Sequence, residues 1–369
     1  MKNMIKVMTI FGTRPETIKM APVVKELQAR PQIKTIVCVT AQHRQMLDQV
    51  LQAFEIAPDY DLDIMQQGQT LSDITSRVLN GLEAIMREEK PDIVLVHGDT
   101  TTTFAGALAA FYQQIPIGHV EAGLRTYHKY SPYPEEMNRQ MVGVMADLHF
   151  APTLKSRENL LREGKQDNSI VVTGNTAIDA LQTTVCNDYD SELLNWAKGS
   201  RLIVLTAHRR ENLGEPMYRM FRAIKRIIDQ YEDVKMVYPV HLNPIVQRAA
   251  HEIFGEDSKI RLVDPMDVVD FHNLLSHSYL ILTDSGGIQE EAPSLGKPVI
   301  VLRDTTERPE GIEAGTLKLA GTDEMKIYQL IEELFNDPNE YRRMSTAINP
   351  YGDGKASKRI VDAIINCFK

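Results

Sequence analysis

The chain has 369 residues, of which 43% are hydrophobic and 25% charged, a composition that excludes disordered, collagen-like and coiled-coil chains. A single hydrophobic core rarely organises more than about 300 residues, so we expect two domains. The 41 basic and 50 acidic side chains give a net charge of −9, and no basic block stands out, which disfavours nucleic-acid binding.

The first half of the chain alternates short apolar runs with amphipathic stretches. Thr70 and Asp73 have capping-box spacing at the start of one predicted helix. The predicted elements are, in chain order, strand 5–11, helix 15–29, strand 35–40, helix 44–54, helix 70–89, strand 92–98, helix 101–113 and strand 116–122. This alternation predicts a parallel sheet covered by helices on both faces.

The second half repeats this pattern. Its predicted elements are strand 201–207, helix 216–231, strand 235–240, helix 244–254, strand 260–264, helix 267–276, strand 279–284, helix 287–296 and strand 298–302. We therefore predict an α/β protein with two Rossmann-like domains, over residues 1–170 and 171–354, joined near 168–175. A last helix, about 355–369, is expected to pack back onto the first domain.

Cysteine usage and hydropathy predict the compartment. Cys38, Cys186 and Cys367 lie far apart and form no CxxC pair, which supports neither a disulfide framework nor a zinc site. No apolar run approaches the roughly 18–20 residues that span a bilayer, and the first residues do not have the pattern of a signal peptide. We expect a cytoplasmic protein without membrane contact.

Polar residues follow the predicted strands, at the edge where open parallel sheets bind ligands. Arg14 follows the first strand, and Asp99 and Glu121 follow two later ones. His208 follows the first strand of the second half. Each has a structural alternative: Asp99 as the N-cap of the next helix, His208 as a structural hydrogen-bonding group, and Arg14 as half of a surface ion pair.

Ser285, Gly286 and Gly287 follow another strand and open a helix, an arrangement that lets backbone N–H groups approach a phosphate. Neither half carries GxGxxG after its first strand, and GxxxxGK[ST] is absent, which disfavours a nicotinamide dinucleotide and a P-loop. The ten histidines form no HExxH or other ligand cluster, so a metal site has little support.

A proline-bounded loop over 130–136 adds Glu135 and Glu136 just before a helix that contains Arg139. Charged groups from both halves are therefore expected to converge on one interdomain cleft. Such a cleft suits a nucleotide-diphosphate ligand, with one domain holding the phosphates and the other the reacting group.

Eight motifs occur in order: GTRPE, QHRQML, HGDTTT, HVEAGLRT, YSPYPEEMNR, TAHRREN, LTDSGGIQEEAPSLGKPV and RDTTERPEG. Together they resemble the non-hydrolysing bacterial UDP-N-acetylglucosamine 2-epimerases, from about residue 5 to the tail. The resemblance implies the GT-B fold, with the nucleotide sugar between two Rossmann-like domains. It also implies interconversion of UDP-N-acetylglucosamine and UDP-N-acetylmannosamine without cofactor or metal, and a homodimer that supplies mannosamine units for cell-surface polysaccharide.

The resemblance also assigns site residues. Asp99, Glu121 and Glu135 match the family's catalytic acids, and which is base and which is acid stays open. Arg14 and His208 match residues that contact the diphosphate, and His208 also assists the leaving group. Ser285, Gly286 and Gly287 match a phosphate-binding helix start, and Glu291 matches the ribose ligand. Further cations of the site are expected to be Arg308, Lys19 and Arg139. Phe271 matches an apolar wall near uracil, and a place in the hydrophobic core is an alternative that is favoured almost as much.

Bacterial members of this family bind a second UDP-N-acetylglucosamine as an activator. The residues that resemble this allosteric site are Gln42, His43, Gln45, Gln69, Arg209 and His241, with Glu135 near both ligands. If the resemblance to the family is set aside, the QHR sequence indicates only a helix cap. Gly68 stands where some relatives are expected to present an arginine, which predicts a weaker contact with the effector's diphosphate.

Three other functions remain possible from the sequence alone. A retaining glycosyltransferase shares the fold and the UDP-sugar, but does not need three acids around carbons 1 and 2 of the sugar. A hydrolysing epimerase would release UDP and free N-acetylmannosamine. A non-catalytic nucleotide-sugar sensor would keep Arg14 and the glycines but has no need of Asp99 and Glu135.

Overall fold

A computed structural model describes residues 4–42, 44–306 and 308–369, with the backbone alone for Gln45 and Met46. The chain forms two compact units. One runs to Thr183 and also contains Tyr351–Lys369, and the other is Thr184–Pro350. The two parallel-sheet α/β units confirm the predicted fold class.

The described residues of the first unit form a seven-stranded parallel sheet in the order β3-β2-β1-β4-β5-β6-β7. Its elements are β1 (Ile5–Phe11), α1 (Arg14–Gln28), β2 (Ile33–Val39), α2 (Arg44–Ala53), β3 (Tyr60–Asp61), α3 (Leu71–Glu89), β4 (Ile93–His97), α4 (Thr101–Tyr112), β5 (Ile117–Val120), α5 (Glu135–Met145), β6 (Leu148–Ala151), α6 (Leu154–Arg162), β7 (Ile170–Val172) and α7 (Thr176–Thr184). The strand order reverses direction between β1 and β4, where such sheets bind ligands.

The second unit repeats this order over its described residues, with six parallel strands in the order β10-β9-β8-β11-β12-β13. Its elements are α8 (Glu192–Ala197), β8 (Arg201–Thr206), α9 (Glu215–Gln230), β9 (Val234–Pro239), α10 (Pro244–Phe254), β10 (Ile260–Val263), α11 (Val268–Ser276), β11 (Leu280–Thr283), α12 (Gly286–Glu291), β12 (Val299–Val301), α13 (Pro309–Glu313), β13 (Leu317–Leu319), α14 (Glu324–Asn336) and α15 (Pro338–Ser345). The equivalent reversal lies between β8 and β11.

Each sheet is the centre of its own apolar core. In the first unit, Met8, Ile10, Val94 and Val96 of the central strands pack against the buried faces of α3 and α4. In the second unit, the central strands pack against α9, whose buried face includes Phe221. The strands read as continuous apolar runs because helices cover both faces of a parallel sheet.

The structure adds elements that were not predicted, among them β6, β13 and α14, and two departures from the predicted bounds have a clear reason. Ile170–Val172, which we expected at the junction, is β7 and pairs with β6, so the first unit continues to Thr183 rather than ending at residue 170. The helix predicted over 287–296 ends at Glu291 and continues as a 3-10 turn over Ala292–Leu295. Pro293 explains this change because proline has no N–H to continue the α-helical bonding.

The tail belongs to the first unit. Its helix, α16 (Ala356–Cys367), packs against α1. The buried carboxylate of Asp179 on α7 accepts hydrogen bonds from the backbone N–H groups of Ala356, at 3.1 Å, and Ser357, at 2.7 Å. These bonds satisfy donors at the start of α16 and fasten the tail to α7.

Candidate active site

Glu16 ties together the two loops that follow β1 and β4. Its buried carboxylate accepts hydrogen bonds from the backbone N–H groups of Gly12 and Thr13 at 3.0 and 2.8 Å. It also accepts hydrogen bonds from the hydroxyl groups of Thr100 and Thr103 at 2.6 and 2.9 Å. The glutamate of GTRPE is therefore structural, and it fixes the loops that carry Arg14, the first residue of α1, and Asp99.

Asp99 is not the N-cap of α4, because Thr100 takes that position and accepts from the N–H of Thr103. The Asp99 carboxylate instead pairs with the guanidinium of Arg139 on α5, at 2.5 Å. Asn138 Nδ2 donates to the Asp99 carbonyl at 2.9 Å. Asp99 is therefore not a helix cap but an acid held by an ion pair with Arg139 and by a hydrogen bond from Asn138.

The three predicted acids lie close enough to interact electrostatically. The pKa of Asp99 is raised to about 6. Burial is the main cause, the charge of Arg139 opposes the rise, and the charges of Glu121 and Glu135 add to it. A carboxyl with a pKa near 6 exchanges protons readily at neutral pH. The first unit therefore brings together the acids that the sequence singled out.

Glu121 follows β5 and has a φ of 63°, a left-handed conformation that is uncommon for a residue with a side chain. Its Oε1 accepts hydrogen bonds from Lys19 Nζ of α1 and from Asn175 Nδ2, the latter at 3.1 Å. Such backbone strain persists where surrounding contacts impose it and is common at functional sites. Lys19 thus contacts an acid in this structure.

The two acids of the proline-bounded loop have different roles. Glu136 is fully buried, and its carboxylate accepts from the N–H groups of Thr126 and Tyr127 at 3.0 and 2.9 Å. These bonds close the loop against α5. Glu135 is the first residue of α5 and is only partly buried, so it is the acid of this pair that remains available to a ligand.

Asp284 organises the corresponding edge of the second unit. Its buried carboxylate accepts from the backbone N–H groups of His208 and Arg209, both at 2.9 Å, and from Asn212 Nδ2 at 3.2 Å. The imidazole of His208 stacks on that of His241, with ring centres 5.4 Å apart. Burial lowers the pKa of His208, and the charge of Asp284 opposes this shift.

The glycines at the start of α12 make room for Arg308. A Cβ at Gly286 would lie 2.6 Å from Nη1 of Arg308, whereas a Cβ at Gly287 would lie 3.8 Å from Oε1 of Glu291. The Arg308 guanidinium also donates to the buried Glu290 at 2.8 Å. The structure therefore sets a cation directly beside the helix start that follows Ser285.

Glu291 and Phe271 lie on neighbouring helices of this unit. Oε2 of Glu291 is 3.5 Å from Nε2 of the buried His272, which is itself bonded through Nδ1 to the Thr184 hydroxyl at 2.7 Å. Phe271 is partly buried and packs against the apolar cluster below β11 and β12. The core interpretation of Phe271 is thus correct for part of its ring, and its contact with uracil stays a prediction.

The residues predicted for the allosteric site are held by neighbouring polar groups. Gln42 Oε1 accepts from the Thr102 hydroxyl at 2.9 Å. Gln69 Oε1 accepts from Nη1 of Arg77 on α3, at 3.3 Å, and His241 Nδ1 accepts from the backbone N–H of Asn243 at 3.0 Å. His43 and the side chain of Gln45 lie outside the described residues.

Gly68 lies in the loop before α3 and has a φ of 73°. A Cβ there would have no heavy atom of the described residues within 4 Å. Arg77 reaches the same loop, donating to the Ile64 carbonyl at 3.1 Å and to the side chain of Gln66. A guanidinium is therefore present at this loop although position 68 does not supply it.

Sequence reasoning missed three residues that position the site: Glu16, Asp284 and Asn175. Glu16 stands three residues after Thr13, the spacing of the capping box that the structure contains. Asp284 directly follows the buried strand β11, and this position after a strand could have marked it as a candidate site residue. Asn175 gave none, because its partner Glu121 is far away in the chain.

The described residues contain no group of three or more His, Cys, Asp or Glu side chains arranged to hold a metal ion. In the same part of the chain, no helix combines the length and apolar character that crossing a membrane requires.

Known proteins resemble this chain over nearly its whole length. A family model described as UDP-N-acetylglucosamine 2-epimerase matches residues 25–365. The UDP-N-acetylglucosamine 2-epimerase of Bacillus subtilis (strain 168) is 65% identical over 361 residues, which cover 98% of this chain and 95% of the relative.

Solved structures agree with the sequence match. S. aureus MnaA, in a co-structure with UDP, has a TM-score of 0.91 and 59% identity, covering 98% of this chain and 96% of its own. The UDP-GlcNAc 2-epimerase from Neisseria meningitidis, bound to UDP-GlcNAc, has a TM-score of 0.89 and 49% identity, covering 98% and 100%. The chain therefore belongs to the UDP-N-acetylglucosamine 2-epimerase family of isomerases, which confirms the resemblance carried by its sequence motifs.

Proposed function

We propose that this enzyme inverts carbon 2 of UDP-N-acetylglucosamine by eliminating UDP and adding it back, without hydrolysis, to give UDP-N-acetylmannosamine. The observation that carries the proposal is the cluster of Asp99, Glu121 and Glu135, in which burial, helped by the two neighbouring carboxylates and opposed by Arg139, raises the pKa of Asp99 to about 6. Three interacting carboxyl groups provide a base and an acid for proton transfer. The structures of relatives with UDP and with UDP-GlcNAc support the ligand class.

The route follows from the chemistry of the sugar. The proton on carbon 2 is not acidic, because no carbonyl carbon is directly bonded there. In the proposed first step a carboxylate takes this proton, the carbon 1–oxygen bond breaks, and UDP leaves with its electron pair to give 2-acetamidoglucal. In the second step a carboxyl group protonates carbon 2 from the opposite face and UDP rebonds to carbon 1.

Reversibility constrains the acids. The group that acts as base in the forward direction must act as acid in the reverse direction. The two groups therefore lie on opposite faces of the sugar, and at the start of each reaction one is ionised and the other protonated. Asp99 suits one of these roles because its pKa lies near neutral pH. The contacts of Arg139 with Asp99 and of Lys19 with Glu121 support a role for these two cations in holding the acids, rather than in binding UDP directly.

We assign UDP mainly to the second unit. Its diphosphate would meet the N–H groups at Ser285, Gly286 and Gly287 and the guanidinium of Arg308, which stabilise the charge of the departing group. His208 would donate to the leaving oxygen, and Arg14 of the first unit would add a further cation. Glu291 would bind the ribose, and Phe271 would contact uracil.

A second UDP-N-acetylglucosamine is proposed to activate the enzyme through Gln42, His43, Gln45, Gln69, Arg209, His241 and Glu135. An effector that binds one conformation of the enzyme more tightly would shift the population towards it. Arg77 compensates in part for the missing arginine at Gly68, because its guanidinium already reaches that loop.

The proposal includes a homodimer in the cytoplasm that supplies mannosamine units for cell-surface polysaccharide. The exposed apolar side chains of Phe111, Tyr112 and Val144, on the neighbouring helices α4 and α5, support the dimer because an interface would remove apolar surface from water. The compartment and the use of the product rest on the family alone.

Substitution of the acids tests the proposal. Asp99→Asn, Glu121→Gln and Glu135→Gln keep shape and remove proton transfer, so each should lower kcat by roughly 10²–10⁴-fold. UDP affinity, measured by calorimetry, should change little. Glu83→Gln, on the exposed surface of α3, is the matched control and should leave kcat unchanged. Near-normal turnover in any of the three variants would remove that residue from the mechanism.

A further inference from the structure

His97 is a buried titratable residue that the proposed mechanism does not use. It is the last residue of β4, two positions before Asp99, and only 3% of it is exposed. Within the described part of the chain, neither ring nitrogen has a hydrogen-bond partner. Burying an imidazole in this way costs free energy, and most buried polar groups avoid it, so the placement of His97 calls for an explanation.

The ring faces a catalytic acid. Nε2 of His97 lies 4.0 Å from Oε2 of Glu121. The other oxygen of that carboxylate, Oε1, accepts from Lys19 and Asn175. A Cβ at Gly98 would lie 3.4 Å from Oε2, in ordinary van der Waals contact, which places this oxygen beside the backbone that follows β4. Lys19 and Asn175 therefore hold one oxygen of Glu121, and His97 faces the other.

His97 is neutral at physiological pH. Its pKa is lowered to about 4. Burial is the main cause, the charge of Glu121 opposes the shift, and the charge of Lys19 contributes to it. The neighbouring His119 of β5 is also buried, with its Nε2 2.7 Å from the Gly98 carbonyl oxygen, and burial is the main reason that its pKa is lowered. A neutral imidazole keeps one N–H donor and can present it to a carboxylate.

We propose that His97 is a positioning residue for Glu121, donating its Nε2–H to Oε2 of the ionised carboxylate and thereby fixing that carboxylate for proton transfer at carbon 2. The inference rests on the proposed role of Glu121. A decrease of about 1 Å in the Nε2–Oε2 separation gives a hydrogen bond of ordinary length. Hydrogen bonds of catalytic groups are often long without substrate and shorten when it binds.

Two substitutions separate this role from simple packing. His97→Gln keeps an N–H donor in a similar place, and His97→Leu removes it. We expect His97→Leu to lower kcat about tenfold at neutral pH and to move the acidic limb of the kcat profile up by about one pH unit, because the ionised carboxylate loses a donor. His97→Gln should stay within about threefold of the wild type, and KM should change little in both variants.

His149→Leu is the matched control. His149 is equally buried, also has a ring nitrogen without a partner among the described residues, and lies on β6 in register with His119 rather than beside Glu121. Its removal should leave the acidic limb in place. If His97→Leu and His97→Gln lose activity equally, or if the acidic limb does not move, His97 only fills space and the inference is wrong.

A second measurement reads the tautomer of His97 rather than turnover. In ¹⁵N-histidine NMR, assigned by the signal missing from His97→Gln, His97 should be the Nε2–H tautomer, and Glu121→Gln should shift that signal. An Nδ1–H tautomer overturns the inference. Turnover separates the two proposals, because normal activity in Glu121→Gln refutes the role of Glu121, whereas lost activity with an unmoved His97 signal refutes only the role of His97.

Discussion

Asp99 lies beside one cation and two carboxylates, and each of them changes its affinity for a proton. Burial has the largest effect and raises its pKa to about 6, although Arg139 binds the same carboxylate. Since a carboxyl in an unfolded chain has a pKa near 3.8, the folded enzyme binds this proton more tightly than the unfolded chain does. Stability from Asp99 is thus present below about pH 4 and lost as the pH rises through 6.

Asp99→Asn should reveal this linkage. The variant cannot lose a proton there, so relative to it the wild type should lose up to about 3 kcal/mol of unfolding free energy between pH 4 and pH 8. Urea unfolding of both proteins at several pH values measures the difference, and groups common to both cancel. A difference that stays constant across this range would show that burial does not hold the Asp99 proton.

At the scale of elements, the start of α12 depends on a glycine for a reason that the sequence motif does not reveal. Gly286 lets the Arg308 guanidinium lie where a Cβ would be 2.6 Å away. The bond from Arg308 to Glu290 fixes the guanidinium from the other side. An alanine at 286 must therefore displace Arg308 or the helix start itself.

Gly286→Ala should weaken UDP binding by about 10- to 100-fold, because a charged hydrogen-bonding group leaves its place. Gly287→Ala is the matched control, since its Cβ meets the protein only at 3.8 Å and should cost much less. Titration calorimetry with UDP measures both. If both variants lose the same UDP affinity, the cause is a direct contact between the glycines and the ligand. That result would contradict the role given to Arg308.

Local patterns predicted most of the elements, and long-range contacts account for what they missed. Alternating apolar runs identified the central strands, and capping-box spacing correctly placed Thr70 and Asp73 at the start of α3. The short run Ile170–Val172 was not recognisable as a strand, because it becomes one only by pairing with β6.

Long-range contacts also limited what the sequence could predict about the candidate site. Position after a strand singled out Asp99, Glu121 and His208, but it could not reveal their partners. The pairing of Asp99 with Arg139, and the bonds from Asp284 to the loop of His208, join residues far apart in the chain. Sequence alone therefore singled out the candidate residues, and the fold added which groups hold them.

At the scale of the whole molecule, the proposed effector should make the kinetics cooperative. UDP-N-acetylmannosamine alone should be converted slowly, a trace of UDP-N-acetylglucosamine should accelerate it, and the forward reaction should be sigmoidal. His241→Ala and Gln42→Ala should flatten the sigmoid and leave UDP binding largely intact. Leu242→Ala, at the exposed neighbour of His241, is the control and should keep the wild-type curve. Hyperbolic forward kinetics with prompt reverse conversion would contradict an allosteric site.

The central claim is that carbon 2 loses its proton while UDP leaves and returns. Proton NMR of UDP-N-acetylglucosamine with the wild-type enzyme in deuterium oxide tests it most directly. Elimination and re-addition predict UDP-N-acetylmannosamine with deuterium at carbon 2, together with traces of free UDP and 2-acetamidoglucal. Product that keeps its original hydrogen at carbon 2 would contradict elimination and re-addition and would require a different route.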